Sequence, residues 1–209
     1  MKNIPFFANL PDGTHCYQAA LKMVLTHFSG EDFSFEKLDQ LTGKLPGKWT
    51  WPTQSLIWLL DHGYEIRLIE EFSFEEFAKR GRDYIVSKWG EDVAKAQEAN
   101  SDLLREQKLA ELFSTRCPVD YRSPSWEDIE ELFQKNFLLV CNINACGLYQ
   151  QAGYSGHFVV LTEVSSSHIT IHDPGLPPQP ALKVERAVFE KAWGYPSEHE
   201  RNILAIKMI

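Results

Sequence analysis

Long runs of one residue class are missing from this chain, and each absence removes a class of function. No stretch approaches the roughly 18 consecutive apolar residues that a membrane-crossing helix needs. Residues Met1 to Leu10 hold only a short apolar stretch, broken by Pro5 and Asn9, so no secretion signal is read there. The expectation is a cytoplasmic protein with no membrane partner. Basic clusters are missing too. No run of Lys and Arg exceeds two residues, and 21 Lys and Arg stand against 29 Asp and Glu, for a net charge of −8. Sequence-independent nucleic-acid binding needs clustered cations, so no nucleic-acid partner is expected. Cysteine is scarce at four residues, and no two are separated by the two-residue gap of a zinc or redox motif. A reducing cytosol argues against a disulfide framework as well. There is no internal repeat and no low-complexity segment.

What is present suits one domain over positions 1–209. A chain of 209 residues can bury a sizeable core, and 44% hydrophobic with 24% charged residues is ordinary for a globular protein. Aromatics reach 12%, six of them tryptophan, which predicts a dense core or an aromatic-lined groove.

An extended arm leads into the turn cluster Pro11-Asp-Gly-Thr-His. Cys16 to Phe28 lacks Pro and Gly, and Ala20, Met23, Val24 and Phe28 recur at helical spacing, so a helix with one apolar face is predicted. Asp12 or Thr14 is placed to cap it, which puts Cys16 in its first turn. Helices are also read after Ser34, from Thr53 to His62 and from Ser73 to Gly81, with a strand at Tyr64 to Ile69. From about 82 to 113 the chain becomes charged and Ala-rich. It carries one apolar stripe at Ile85, Trp89, Val93 and Ala96, and another at Leu104, Leu109, Leu112 and Phe113. This reads as a helical insertion packed on the domain surface, in preference to a lid or a dimer contact. Ser125 opens a helix through a capping box with Asp128. Strands follow at Phe137 to Ile143, His157 to Val164, His168 to Asp173 and Ile203 to Met208. Helices first and an antiparallel sheet second predict the α+β class.

Three residues stand out against their bland alternatives. A free cysteine is by default a small buried hydrophobe, and Cys141 in Phe137-Leu-Leu-Val-Cys fits that description. Cys16 departs from it, because a helix N-terminus favours thiolate over thiol and offers N–H groups to an oxyanion. His157 opens an apolar strand directly after Gly156. A buried histidine is more often a core residue, yet a strand end with space beside it suits a general base. Asp173 is either a plain Asp-Pro-Gly turn residue or the carboxylate that orients His157, and the two do not conflict. With a turn at 165–167, residues 157 and 173 are predicted to be cross-strand neighbours. Asn142 and Asn144 are the alternative orienting groups. His15 adjoins Cys16, but consecutive helical residues do not face each other. His172 is expected on the sheet face opposite Asp173. Trp49, Trp51 and Trp58 either line a groove beside the nucleophile or pack in the core.

This order of residues resembles the papain-like cysteine peptidases of family 39, the bacteriocin-processing or double-glycine leader peptidases. The resemblance is carried by Cys16-Tyr-Gln-Ala-Ala-Leu-Lys-Met-Val-Leu, Leu56 to Tyr64, Ile129 to Val140, Gly156-His-Phe-Val-Val-Leu and His172-Asp-Pro-Gly, with Phe189 and Trp193 late in the chain. It implies a papain-like fold and a Cys-His-Asp triad at Cys16, His157 and Asp173. It also implies cysteine peptidase or amide hydrolase activity on a peptide or protein through a thioacyl-enzyme, with no metal or other cofactor. The chain departs from the family twice. Tyr17 stands where the family has glycine after the cysteine, and Leu10 stands where it has the oxyanion-hole glutamine. Asn9, one position away, has an amide donor of the right kind and is taken as the oxyanion-hole residue. The same triad can pass an acyl group to an amine or thiol as an acyltransferase or transpeptidase. Relatives that lost the nucleophile are non-catalytic peptide binders, and retention of all three residues here weighs against that reading.

Overall fold

The computed structural model describes residues 3–209. The first helix, α1 (Cys16–Ser29), is wrapped by protein along most of its length. Ala19, Ala20, Met23, Val24 and Leu25 are fully buried, and the left-handed Gly30 ends the helix by returning its N–H to Thr26. Helix α2 (Phe35–Thr42) starts where Ser34 accepts the Lys37 N–H at 3.2 Å. Then come α3 (Thr53–Asp61), β1 (Tyr64–Glu70), α4 (Phe74–Arg80), α5 (Arg82–Trp89), α6 (Glu91–Asn100), α7 (Leu103–Arg116) and β2 (Val119–Asp120). The second half holds α8 (Trp126–Gln134), β3 (Leu138–Asn144), α9 (Ala145–Leu148), β4 (Gly156–Val164), β5 (His168–Asp173), β6 (Gln179–Glu185), α10 (Arg186–Trp193) and β7 (Asn202–Met208). The capping box between Ser125 and Asp128 is present at α8.

Among the described residues, all seven strands form one sheet in the order β2-β1-β7-β3-β4-β5-β6. The expected α+β class stands, but the sheet is mixed rather than antiparallel, because β2 pairs with β1 in parallel. Side chains alternate along the central strands. Val140, Val160, Leu204 and Ile206 enter a core shared with α1, α3, α4 and the 82–116 helices. Leu139, Cys141, Val159, Leu161, Ile203 and Ala205 enter a second core shared with α8 and α10. Burying a side chain of this size contributes roughly 1.5–3 kcal/mol, so both faces of the sheet contribute to stability.

The helices from 82 to 116 pack differently from the expected stripes. Ile85, Ala94, Ala110 and Phe113 are buried, while Val93, Leu104 and Leu112 are exposed. Instead of lying over a finished surface, they complete the first core: Trp89 stacks on Phe72 with ring centroids 5.3 Å apart, and Phe113 meets Phe74 at 4.5 Å. They also grip the loop between α2 and α3, where the Trp49 N–H donates to Asn100 O at 2.6 Å and Arg105 donates to Gly43 O at 2.7 Å. Among the described residues no helix is long and apolar enough to cross a membrane.

Candidate active site

The turn before α1 is folded by its own side chains. Asp12 accepts from the Thr14 N–H at 3.1 Å and the Thr14 hydroxyl at 2.9 Å, and Gly13 takes the left-handed conformation with φ 72°. Neither Asp12 nor Thr14 caps α1, contrary to expectation. The N-cap is His15, which makes no side-chain cap bond. Asp12 is spent on its own turn, so the N–H groups at the start of α1 remain for another acceptor. Cys16 lies beside His157 and the backbone of Tyr17 and Phe158, near enough for all three to act on the acidity of its thiol.

His157 is held from two sides. Its backbone N–H donates to Asn142 Oδ1 at 3.1 Å, and its Nε2 lies 2.5 Å from Asp173 Oδ1. With Nε2 engaged by the carboxylate, Nδ1 is the nitrogen left for the thiol. Asp173 ends β5 and is 1% exposed. Its Oδ1 also accepts the Gly175 N–H at 2.7 Å, and its Oδ2 accepts the Tyr149 hydroxyl at 2.5 Å. The expected direct cross-strand pairing of 157 with 173 is not what brings these residues together. Register shifts at a bulge between Leu161 and Glu163, and Val160 pairs with His172. His157 therefore lies diagonal to Asp173, a separation that an imidazole can span.

Electrostatics follow from these contacts. Burial alone would raise the Cys16 thiol, but the bond to His157, its positive charge and the two N–H groups outweigh burial and bring the thiol below its ordinary value. Burial would lower His157, but the bonds and charges of Asp173 and Cys16 raise it to about 9. Asp173 is held below its usual value: burial opposes this, and His157, Tyr149 and Gly175 prevail. These shifts favour a thiolate–imidazolium pair. Two other cysteines behave as ordinary buried thiols. Burial drives Cys117 up to about 12 and Cys141 higher still.

Asn9 joins the two sides of the site. Its Oδ1 accepts the His15 N–H at 2.8 Å, and its own N–H donates to Pro174 O at 2.8 Å. A backbone N–H can only meet the amide oxygen, so the –NH2 end of Asn9 is the end that faces elsewhere. Gly175 approaches closely as well. A Cβ there would stand 2.8 Å from Asp173 Oδ1 and 3.3 Å from His157 Nε2, so only glycine leaves that pair undisturbed.

The remaining candidates go elsewhere. His15 is engaged by Asp12 at 3.0 Å and Asp39 at 3.4 Å. His172 accepts the Ala181 N–H on Nδ1 and donates from Nε2 to Ile4 O, which ties the N-terminal arm to the sheet. Asn144 caps α9 instead of orienting His157, accepting from Cys146 N–H and Ser155 N–H. Trp51 stacks on Phe77 and Trp58 on His62, while Trp49 is exposed. Tyr149 and Gly175 are the residues that sequence reasoning missed. Gly175 carried a signal, since it follows Asp-Pro, but it was readable only as a turn. Among the described residues no group of three or more His, Cys, Asp or Glu converges to hold a metal.

No family model and no curated protein matches the chain. Among solved structures it is similar to one described as a "putative C39-like peptidase" from Bacillus anthracis. That likeness has a TM-score of 0.52 at 19% identity and covers 99% of this chain and 96% of that one. The two chains share a peptidase-like fold over nearly their whole lengths.

Proposed function

We propose that the chain is a cysteine peptidase or amide hydrolase acting on a peptide or protein, with Cys16 as nucleophile, His157 as acid and base, and Asp173 as orienting group. One observation carries this reading: His157 Nε2 lies 2.5 Å from the buried Asp173 Oδ1 with Cys16 beside the same imidazole, the thiol lowered and the imidazole raised. The likeness to a peptidase-like structure supports it at the level of fold.

The chemistry follows from the roles. The Cys16 thiolate adds to the substrate carbonyl, and the oxygen takes the negative charge. In this reading the backbone N–H of Cys16 at the start of α1 and the Asn9 –NH2 serve as the donors to that oxyanion. Imidazolium at His157 gives its proton to the leaving amine as the C–N bond breaks, which leaves a thioester on Cys16. His157, now neutral, takes a proton from water as it attacks the thioester. Acid is released and the thiolate–imidazolium pair returns. Asp173 keeps the Nε2–H tautomer throughout, so Nδ1 always faces the reacting atoms.

Iodoacetamide tests the reading. One thiol is expected to react fast at pH 6–8, and Cys16→Ala removes that reaction. The reaction is expected to persist below the pH at which an ordinary thiol ionises, because the Cys16 thiol is lowered and His157 holds its proton up to about 9. Equal labelling of all four cysteines, or of none, would sink the proposal. A peptide-library screen on the wild type and on Cys16→Ala then identifies the substrate.

A further inference from the structure

Asp173 meets three donors on two oxygens. His157 and Gly175 share Oδ1, and Tyr149 alone takes Oδ2. Because the carboxylate is 1% exposed, solvent has little access to take the place of that phenol. Tyr149 itself is 42% exposed, so its ring is not held there by deep packing. The connection that carries it is unusually well tied. Asn144, 2% exposed, accepts from Cys146 and Ser155 N–H and donates to Gly153 O at 3.0 Å. Ala145 N–H meets Ser155 O at 2.8 Å, Gln151 N–H meets Cys146 O at 2.7 Å, and the Tyr149 N–H closes α9 on Ala145 O at 3.0 Å. A short helix braced at both ends thus presents one phenol to one buried oxygen.

We propose that Tyr149 is a positioning residue: its hydroxyl fixes the plane of the Asp173 carboxylate so that Oδ1 stays on His157 Nε2. The inference rests on the proposed roles of His157 and Asp173. Without the phenol, Oδ2 is a buried anionic oxygen with no donor, a costly arrangement. The carboxylate then turns to recover hydrogen bonds, Oδ1 leaves the imidazole, and His157 loses part of what holds its proton.

The test is an NMR titration of His157 in the wild type, Tyr149→Phe, Asp173→Asn and the double variant. Tyr149→Phe keeps the ring and removes only the hydroxyl, and the melting temperature serves as a folding control. The His157 midpoint is expected to fall by about half a pH unit or more, as befits the loss of an oriented carboxylate. In the Asp173→Asn background the same change should have no further effect. An unchanged or raised midpoint in Tyr149→Phe overturns the proposal, as does an equal drop in the Asp173→Asn background. The titration does not depend on turnover. Unselective thiol labelling with a lowered midpoint refutes the peptidase reading but leaves the Tyr149–Asp173–His157 coupling intact. Selective labelling with an unmoved midpoint refutes the role of Tyr149 alone.

Discussion

At Asn9 the proposed oxyanion donor is held by the other end of its own amide. With Oδ1 fixed on the His15 N–H, the –NH2 has a defined direction. Asn9→Ala is expected to lower kcat by about 10²–10³, the usual loss for one oxyanion donor, with little change in KM. Iodoacetamide labelling of Cys16 should persist, since alkylation builds no oxyanion. An unchanged kcat would mean that the N–H groups of α1 suffice. The contact of His157 with Asp173 was legible in sequence because one stands at the start of a strand and the other ends the next, and such places constrain direction. Tyr149 was not legible. A tyrosine in a connection has no periodicity, and its hydroxyl meets a residue 24 positions away at the end of β5.

Among the elements, α7 carries the clearest cost. Glu106 is 5% exposed where α7 meets α3, and burial raises its carboxyl to about 7 against an ordinary 4.5, although Arg105 and Thr53 pull the other way. A raised acid means that the folded state prefers the protonated form. Its contribution is fully present below the ordinary value and is lost as pH rises through about 7. Glu106→Gln is therefore expected to stabilise the protein at pH 8, by roughly 1–3 kcal/mol, and to match the wild type near pH 5. Urea unfolding at both pH values measures this, and equal midpoints at pH 8 would refute it. Element types were mostly readable from pattern. Strand β6 was not, because Pro180 interrupts it, and an edge strand tolerates a proline that a central strand would reject. The bulge between Leu161 and Glu163 also left no mark in the alternation of β4, so the diagonal approach of His157 to Asp173 could not be foreseen.

As a whole, the molecule is one sheet with a core on each face, and its two halves are interleaved. Strand β1 from the helical half pairs with β7, the last strand, over its full length, and β7 pairs in turn with β3. Neither core can lose its strands without exposing the other. A single cooperative transition is therefore expected, with coincident curves from tryptophan fluorescence and far-UV circular dichroism in urea. Separated curves would show that the halves unfold independently. This interleaving was hidden in the sequence, where most helices precede most strands. Only the long-range pairing of β1 with β7 reveals the closure.

The double attachment of Asn9 has a mechanical consequence. Its side chain is bonded to the residue before Cys16, and its backbone is bonded to the residue after Asp173. Helix and sheet are thus riveted beside Cys16 and Asp173. Any breathing that drew α1 away from the sheet would have to pivot on this rivet, as a book opens about its spine. The gap would widen far from the spine and least beside it. Cys16 and Asp173 would keep their spacing while the parts of α1 farther from Asn9 move.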